Sequence, residues 1–302
     1  MKKGYKHSMT YHDEWKKNHG ALGFKMHNDY LFRMLMQRDE KTLKAIIASV
    51  MEIDIRKISE VIVTNPIVPG EAIDDLEVHL DINVSIVTED NLLQQINVEM
   101  QAYIDPNWID RSVFYVCRMF NDLNKGKKYN ETIPVWQIAF CDFTLFKNEP
   151  AFVSIFKFIN TKKLCQVYTD KITITNINLK AIEKAEKKHV DSGLVKWAKL
   201  FKAESWEDLM KLAKEDDAMD YAISSVWQLT EDQRIREQMR RREENEREWN
   251  YREELLQNAL QEAVRSKEEA KQAQKEVDTL KEENEKLRKK LALLEKNAIS
   301  DE

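Results

Sequence analysis

Two acids on adjacent predicted strands, Asp81 and Glu99, have the spacing to hold a hard divalent cation between them. The strands read over 80–87 and 92–102, and side chains alternate faces along a strand. Asp81, Asn83 and Ser85 therefore share one face, with Leu80, Ile82, Val84 and Ile86 on the other. The second strand repeats the pattern, with Gln95, Asn97, Glu99 and Gln101 polar and in phase and Ile96, Val98 and Met100 apolar and in phase. With the turn Thr88-Glu89-Asp90-Asn91 pivoting near Asp90, positions whose numbers sum to 180 face each other. Asp81 then lies opposite Glu99, their Cβ atoms about 4.5–5.5 Å apart. Like charges so placed destabilise a sheet unless water screens them or a cation lies between them. The plainer account of such alternation is the solvent side of a half-buried hairpin.

The elements around this hairpin come next. A helix is predicted from Asp29 to about Met51, capped by Asn28, with Leu31, Leu35, Ile46, Ile47 and Val50 near helical spacing. A short strand over 58–64 and a loop broken by Pro66, Pro69 and Gly70 lead into the hairpin. A second helix is predicted over 108–124, with Val113, Val116, Cys117 and Phe120 as its apolar stripe and Gly126 ending it. Strands follow over 133–140, 152–158 and 166–174. The order is helix, three strands, helix, strand, an α/β class with a mixed sheet.

Composition bounds the rest. At 302 residues, with 42% hydrophobic and 9% aromatic content, the chain can build a substantial core. A formal net charge of −5 excludes a uniformly basic nucleic-acid binder. Cys117, Cys141 and Cys165 are scattered without zinc or disulfide spacing, which suits a reducing cytoplasm. No apolar stretch approaches the ~20 residues of a membrane span, and the first residues are too polar for a signal peptide. No nucleotide-binding loop or Ser/His/Asp arrangement occurs.

Four regions are expected: a polar tail over 1–22, the sheet domain over 23–178, a helical segment over 179–230, and a long charged helix over 231–302. The last holds 17 Lys/Arg and 20 Asp/Glu, interspersed and without proline or glycine, as an exposed helix requires. Within a predicted coiled coil over about 256–297, Val277, Asn284 and Leu291 repeat every seven residues, as do Leu280, Leu287 and Leu294. Asn284 at an a position favours two strands in fixed register. The pairs Glu276 with Lys281, Glu283 with Arg288, and Lys290 with Glu295 are all attractive in a parallel pair. The expectation is a parallel homodimer, against an unpaired surface helix.

The strings Asn28-Asp29-Tyr30-Leu31-Phe32-Arg33, Leu80-Asp81-Ile82-Asn83-Val84, Asn97-Val98-Glu99-Met100-Gln101, Arg111-Ser112-Val113-Phe114-Tyr115 and Gly126-Lys127-Lys128-Tyr129 together resemble the Rpn family of recombination-promoting nucleases and transposases, within the PD-(D/E)XK superfamily. The resemblance runs over 24–146 and more weakly to about Arg241. It implies a restriction-endonuclease-like core that cuts DNA with a divalent metal, Mg²⁺ foremost. By that resemblance Asp81 and Glu99 match the two metal-binding acids, and the Met100 carbonyl would be a further ligand. Asp29 would add a third acid from the first helix, or serve only as a helix-start residue favoured by the dipole. Gln101 stands where most of the superfamily has lysine, and a neutral amide can orient water or phosphate but not supply charge. That departure keeps open a second reading, a catalytically silent scaffold. Arg33, Arg111 and the cluster Lys125, Lys127 and Lys128 are candidate phosphate contacts, each with a plain structural alternative: Arg111 could pair with Asp105 or Asp110. His79 shares the strand face of Asp81, and Tyr103 continues that of Glu99.

Overall fold

The computed structural model describes residues 14–65, 82–90, 92–121 and 128–300, with side chains to residue 290. Asp81, His79, Lys125 and Lys127 lie outside the described residues. The chain divides into a unit over Met1–Glu246 and a second over Arg247–Glu302.

The first unit opens with α1 (Asp29–Arg38), whose Asn28 cap accepts from the Tyr30 and Leu31 N–H groups at 3.1 Å each. The helix predicted to run on to Met51 breaks at Asp39, and α2 (Glu40–Met51) begins there. Asp39 is the cause: its carboxylate takes the Thr42 N–H at 3.0 Å and the Thr42 and Ser225 hydroxyls at 2.8 Å each. A buried aspartate bonded this way offers the backbone a fresh N-terminus in place of a continuous ladder.

Strands β1 (Ile58–Val63), β2 (Ile82–Thr88) and β3 (Leu93–Gln101) form an antiparallel meander. The β2–β3 register runs from Val87 opposite Leu93 to Ile82 opposite Val98, so partner numbers sum to 180 as the turn predicts. Helix α3 (Trp108–Phe120) carries the chain over to β4 (Val135–Cys141), parallel to β3. The hairpin β5 (Val153–Asn160) and β6 (Lys163–Asn178) completes a six-stranded mixed sheet of order β1-β2-β3-β4-β6-β5. Helices then follow: α4 (Lys187–Asp191), α5 (Leu194–Lys202), α6 (Trp206–Glu215), α7 (Asp217–Glu231) and α8 (Gln233–Ser300).

Ile82, Val84, Ile86, Ile96, Val98 and Met100, in phase as read, enter the main core with residues of α1, α2 and α5. Its centre is an aromatic trio, Phe32, Phe140 and Phe201, with ring centroids 5.1–5.8 Å apart. On the opposite face α3 packs through Trp108 against Ala139, Cys141 and Phe143. The stripe predicted for α3 is rotated: Val116 is buried, but Val113 and Cys117 face outward. All three cysteines are free. Among the described residues no helix is long and apolar enough to cross a membrane.

Candidate active site

The polar face of β3 is not a solvent face. A parallel crossover must return its helix across the sheet, and α3 comes back over the residues it has just left. Asn97, Glu99 and Gln101 are therefore only 1%, 3% and 7% exposed. Burying a carboxylate is costly unless a cation and hydrogen-bond donors accompany it.

Both are present. Arg111, in the first turn of α3, donates from Nη2 to Glu99 Oε1 at 2.9 Å, and Gln101 Nε2 donates to the same oxygen. The other arm of Arg111 reaches Asp105 at 2.5 Å, and its guanidinium stacks 5.0 Å from the Trp108 ring centroid. Of the two partners weighed for Arg111, the structure selects Asp105, and it adds Glu99. Reading the sequence missed that second contact because the loop 102–107 hides the return path of the helix. The crossover itself was the available signal: α3 must lie over β3.

Asp29, at the start of α1, shares a neighbour with Arg111, the Tyr103 phenol. Burial pushes its carboxyl above the ordinary aspartate range, opposed by the nearby Arg242 charge and by the Tyr30 N–H, which it accepts at 2.8 Å. Tyr103 links the groups: burial raises its phenol first, Asp29 raises it further, and Arg111 opposes. Because the folded state holds the Asp29 proton more tightly than the unfolded chain does, this carboxyl costs nothing below its unfolded pKa. It lowers stability as pH rises through the window above that value. In EDTA, Asp29→Asn is expected to raise the melting temperature at pH 7 and leave it unchanged at pH 3. An equal shift at both values would show that Asp29 is not the titrating group.

A second cluster adjoins the end of β3. Asp142 donates its N–H to the Gln101 carbonyl at 2.9 Å, while its carboxylate takes Lys202 at 2.9 Å and approaches His27 at 3.6 Å. Burial holds His27 below the ordinary histidine pKa, with Asp142 opposing. Arg33 is 1% exposed and donates to the Asn65 side chain at 3.3 Å and to the Asn65 carbonyl, so it clamps the end of β1. Lys128 is exposed.

The family model of the PD-(D/E)XK nuclease family transposases matches residues 26–255, most of the chain. The chain belongs to that family. No curated protein and no solved structure matches it. For a PD-(D/E)XK nuclease family transposase a divalent cation is the expected partner, and the donors can be tested for fit. Among the described residues no three His, Cys, Asp or Glu side chains gather where they could hold a metal ion. The donor chemistry fits nonetheless, because Glu99 and Gln101 offer hard oxygens. Within β3 the Gln95 N–H donates to Pro134 and the Gln101 carbonyl accepts from Asp142, both on the β4 side. Backbone groups alternate along a strand, so the Met100 carbonyl faces the β2 edge, beyond the last described pair, Ile82 with Val98.

Proposed function

We propose that this PD-(D/E)XK family member is a metal-dependent DNA endonuclease, with Asp81 and Glu99 as the metal-binding acids and Gln101 beside them. The observation that carries it is the buried pairing of Glu99 and Gln101 at the β3 terminus beneath the cation Arg111. Asp81, Glu99 and the Met100 carbonyl would hold Mg²⁺, with Asp29 as a further acid; the bound ion supplies polarisation of a phosphate oxygen and acidification of water. Gln101 orients that water or a phosphate oxygen through its amide. Arg111 offers the fixed positive charge that Gln101 lacks, from the neighbouring helix.

Plasmid nicking with Mg²⁺ or Mn²⁺ tests the reading. Cleavage should need Asp81 and Glu99, and activity surviving both Asp81→Ala and Glu99→Ala would remove the site. The neutral Gln101 favours the alternative, a silent nuclease-fold scaffold that binds DNA or protein, and absence of cleavage with every metal would favour it.

The second unit is part of the proposal. Along α8 beyond Arg247, Val277, Leu280 and Leu287 are 44%, 57% and 62% exposed, although they occupy heptad core positions. A second copy in parallel register would cover that stripe, making a homodimer with two nuclease domains. Sedimentation of a chain ending at Arg242 should give a lighter particle than twice its own mass requires, whereas the full chain should sediment as a dimer. Equal association states would overturn the coiled-coil pairing.

A further inference from the structure

From a groove beside Glu99, we propose that the chain binds an unpaired nucleobase of the DNA strand it cuts; this rests on the nuclease reading above. Arg111, Tyr115 and Arg118 recur at i, i+4 and i+7, so they lie along one face of α3. Gln95, Asn97, Glu99 and Gln101 line the facing side of β3. Arg111 joins the two rails at Glu99, at 2.9 Å. Further along, the rails diverge into a groove of 710 Å³ lined by Asn65, Asn83, Gln95, Asn97, Tyr115 and Arg118.

Size and chemistry select the occupant. The volume lies within the range of about 300–1,000 Å³ that suits one small-molecule-sized group such as a single base. Side-chain amides present a donor and an acceptor together, matching the edge of a base. Tyr115 supplies a ring on which a base can stack, and Arg118 a charge for the adjoining phosphate. Amide capacity remains in the groove: among the described residues Asn83 Oδ1 has no hydrogen-bond partner. Glu99 and Gln95 are four residue steps apart along β3, about 13 Å, so a strand whose phosphate lies at Glu99 reaches the groove with a neighbouring base.

The groove's asparagine is also held in place. Asn65 accepts the Asn83 N–H at 2.8 Å and an Arg33 N–H at 3.3 Å on the same oxygen, which fixes its side chain at the groove wall. Preorganised polar groups of this kind fix orientation at little cost on binding.

The test is fluorescence anisotropy of the full chain in EDTA with a short labelled single strand, its duplex, and deoxynucleoside monophosphates as competitors. The single strand should bind about tenfold tighter than the duplex, and Tyr115→Ala should lose about tenfold on the single strand while Tyr115→Phe retains the affinity. Unchanged affinity in Tyr115→Ala, or equal binding of the duplex, would overturn the proposal. Competition by a free nucleotide as strong as by the oligonucleotide would also overturn it, reassigning the groove to free nucleotides. Because no metal is present, the result is separable from cleavage. Groove-dependent single-strand binding without nicking would sink the nuclease reading alone, and Glu99-dependent nicking with a Tyr115-independent affinity would sink the groove alone.

Discussion

Arg111→Ala is expected to destabilise the fold by about 3–5 kcal/mol, the range for stranding one partner of a buried ion pair. The side chains of Arg111 and Glu99 are 19% and 4% exposed, so bulk water compensates little for the lost contact at Glu99. Without the guanidinium, Glu99 loses its cationic donor, and Asp105 loses its cation as well. The Trp108 ring also loses its stacked neighbour. A urea titration of both proteins measures the difference as a lower midpoint at similar slope. Arg111→Lys should recover part of the loss, because an ammonium restores charge but cannot fork to two carboxylates. The decisive arm is the double change: pairing Arg111→Met with Glu99→Gln removes both charges, and it should be more stable than Arg111→Met alone. Simple additivity would mean that the pair is not coupled.

Glu99→Ala is expected to lower metal-dependent nicking by at least about a thousandfold. A metal ligand underlies several kcal/mol of transition-state stabilisation, and each 1.36 kcal/mol is about tenfold in rate. The same substitution releases Arg111 to Asp105 alone, so the protein should remain folded, and circular dichroism separates lost chemistry from lost structure. Gln101→Leu should fall between the native chain and Glu99→Ala, near the ~10²-fold loss of a positioned hydrogen-bond donor. Nicking by Gln101→Leu equal to the native chain would limit Gln101 to holding Glu99 in place.

Much of the fold is legible in the residues because it follows from local rules. Alternation of Ile82, Val84 and Ile86 against Asn83 and Ser85 sets which strand face is buried, and a turn at Asp90 sets the register. Asn28 announces its helix because a short amide at that position satisfies two N–H groups. The break at Asp39 was less legible. The apolar spacing on either side is compatible with one helix, and the Ser225 hydroxyl that joins Thr42 in satisfying the buried Asp39 carboxylate comes from far along the chain.

The candidate site divides in the same way. The sequence by itself determined the strand parity that puts Glu99 and Gln101 on one face, the helix that follows them, and the family motifs over the nuclease-like region. Only the tertiary structure decided that this polar face is buried, that Arg111 spans Glu99 and Asp105, and that Tyr115 and Arg118 border a groove with Asn83 and Asn97. Parity and helical period are properties of a few consecutive residues, whereas these contacts depend on how a connecting loop lays α3 back across β3. The cost of a buried carboxylate then selects the arginine that meets it, and that selection exists only once the helix is in place.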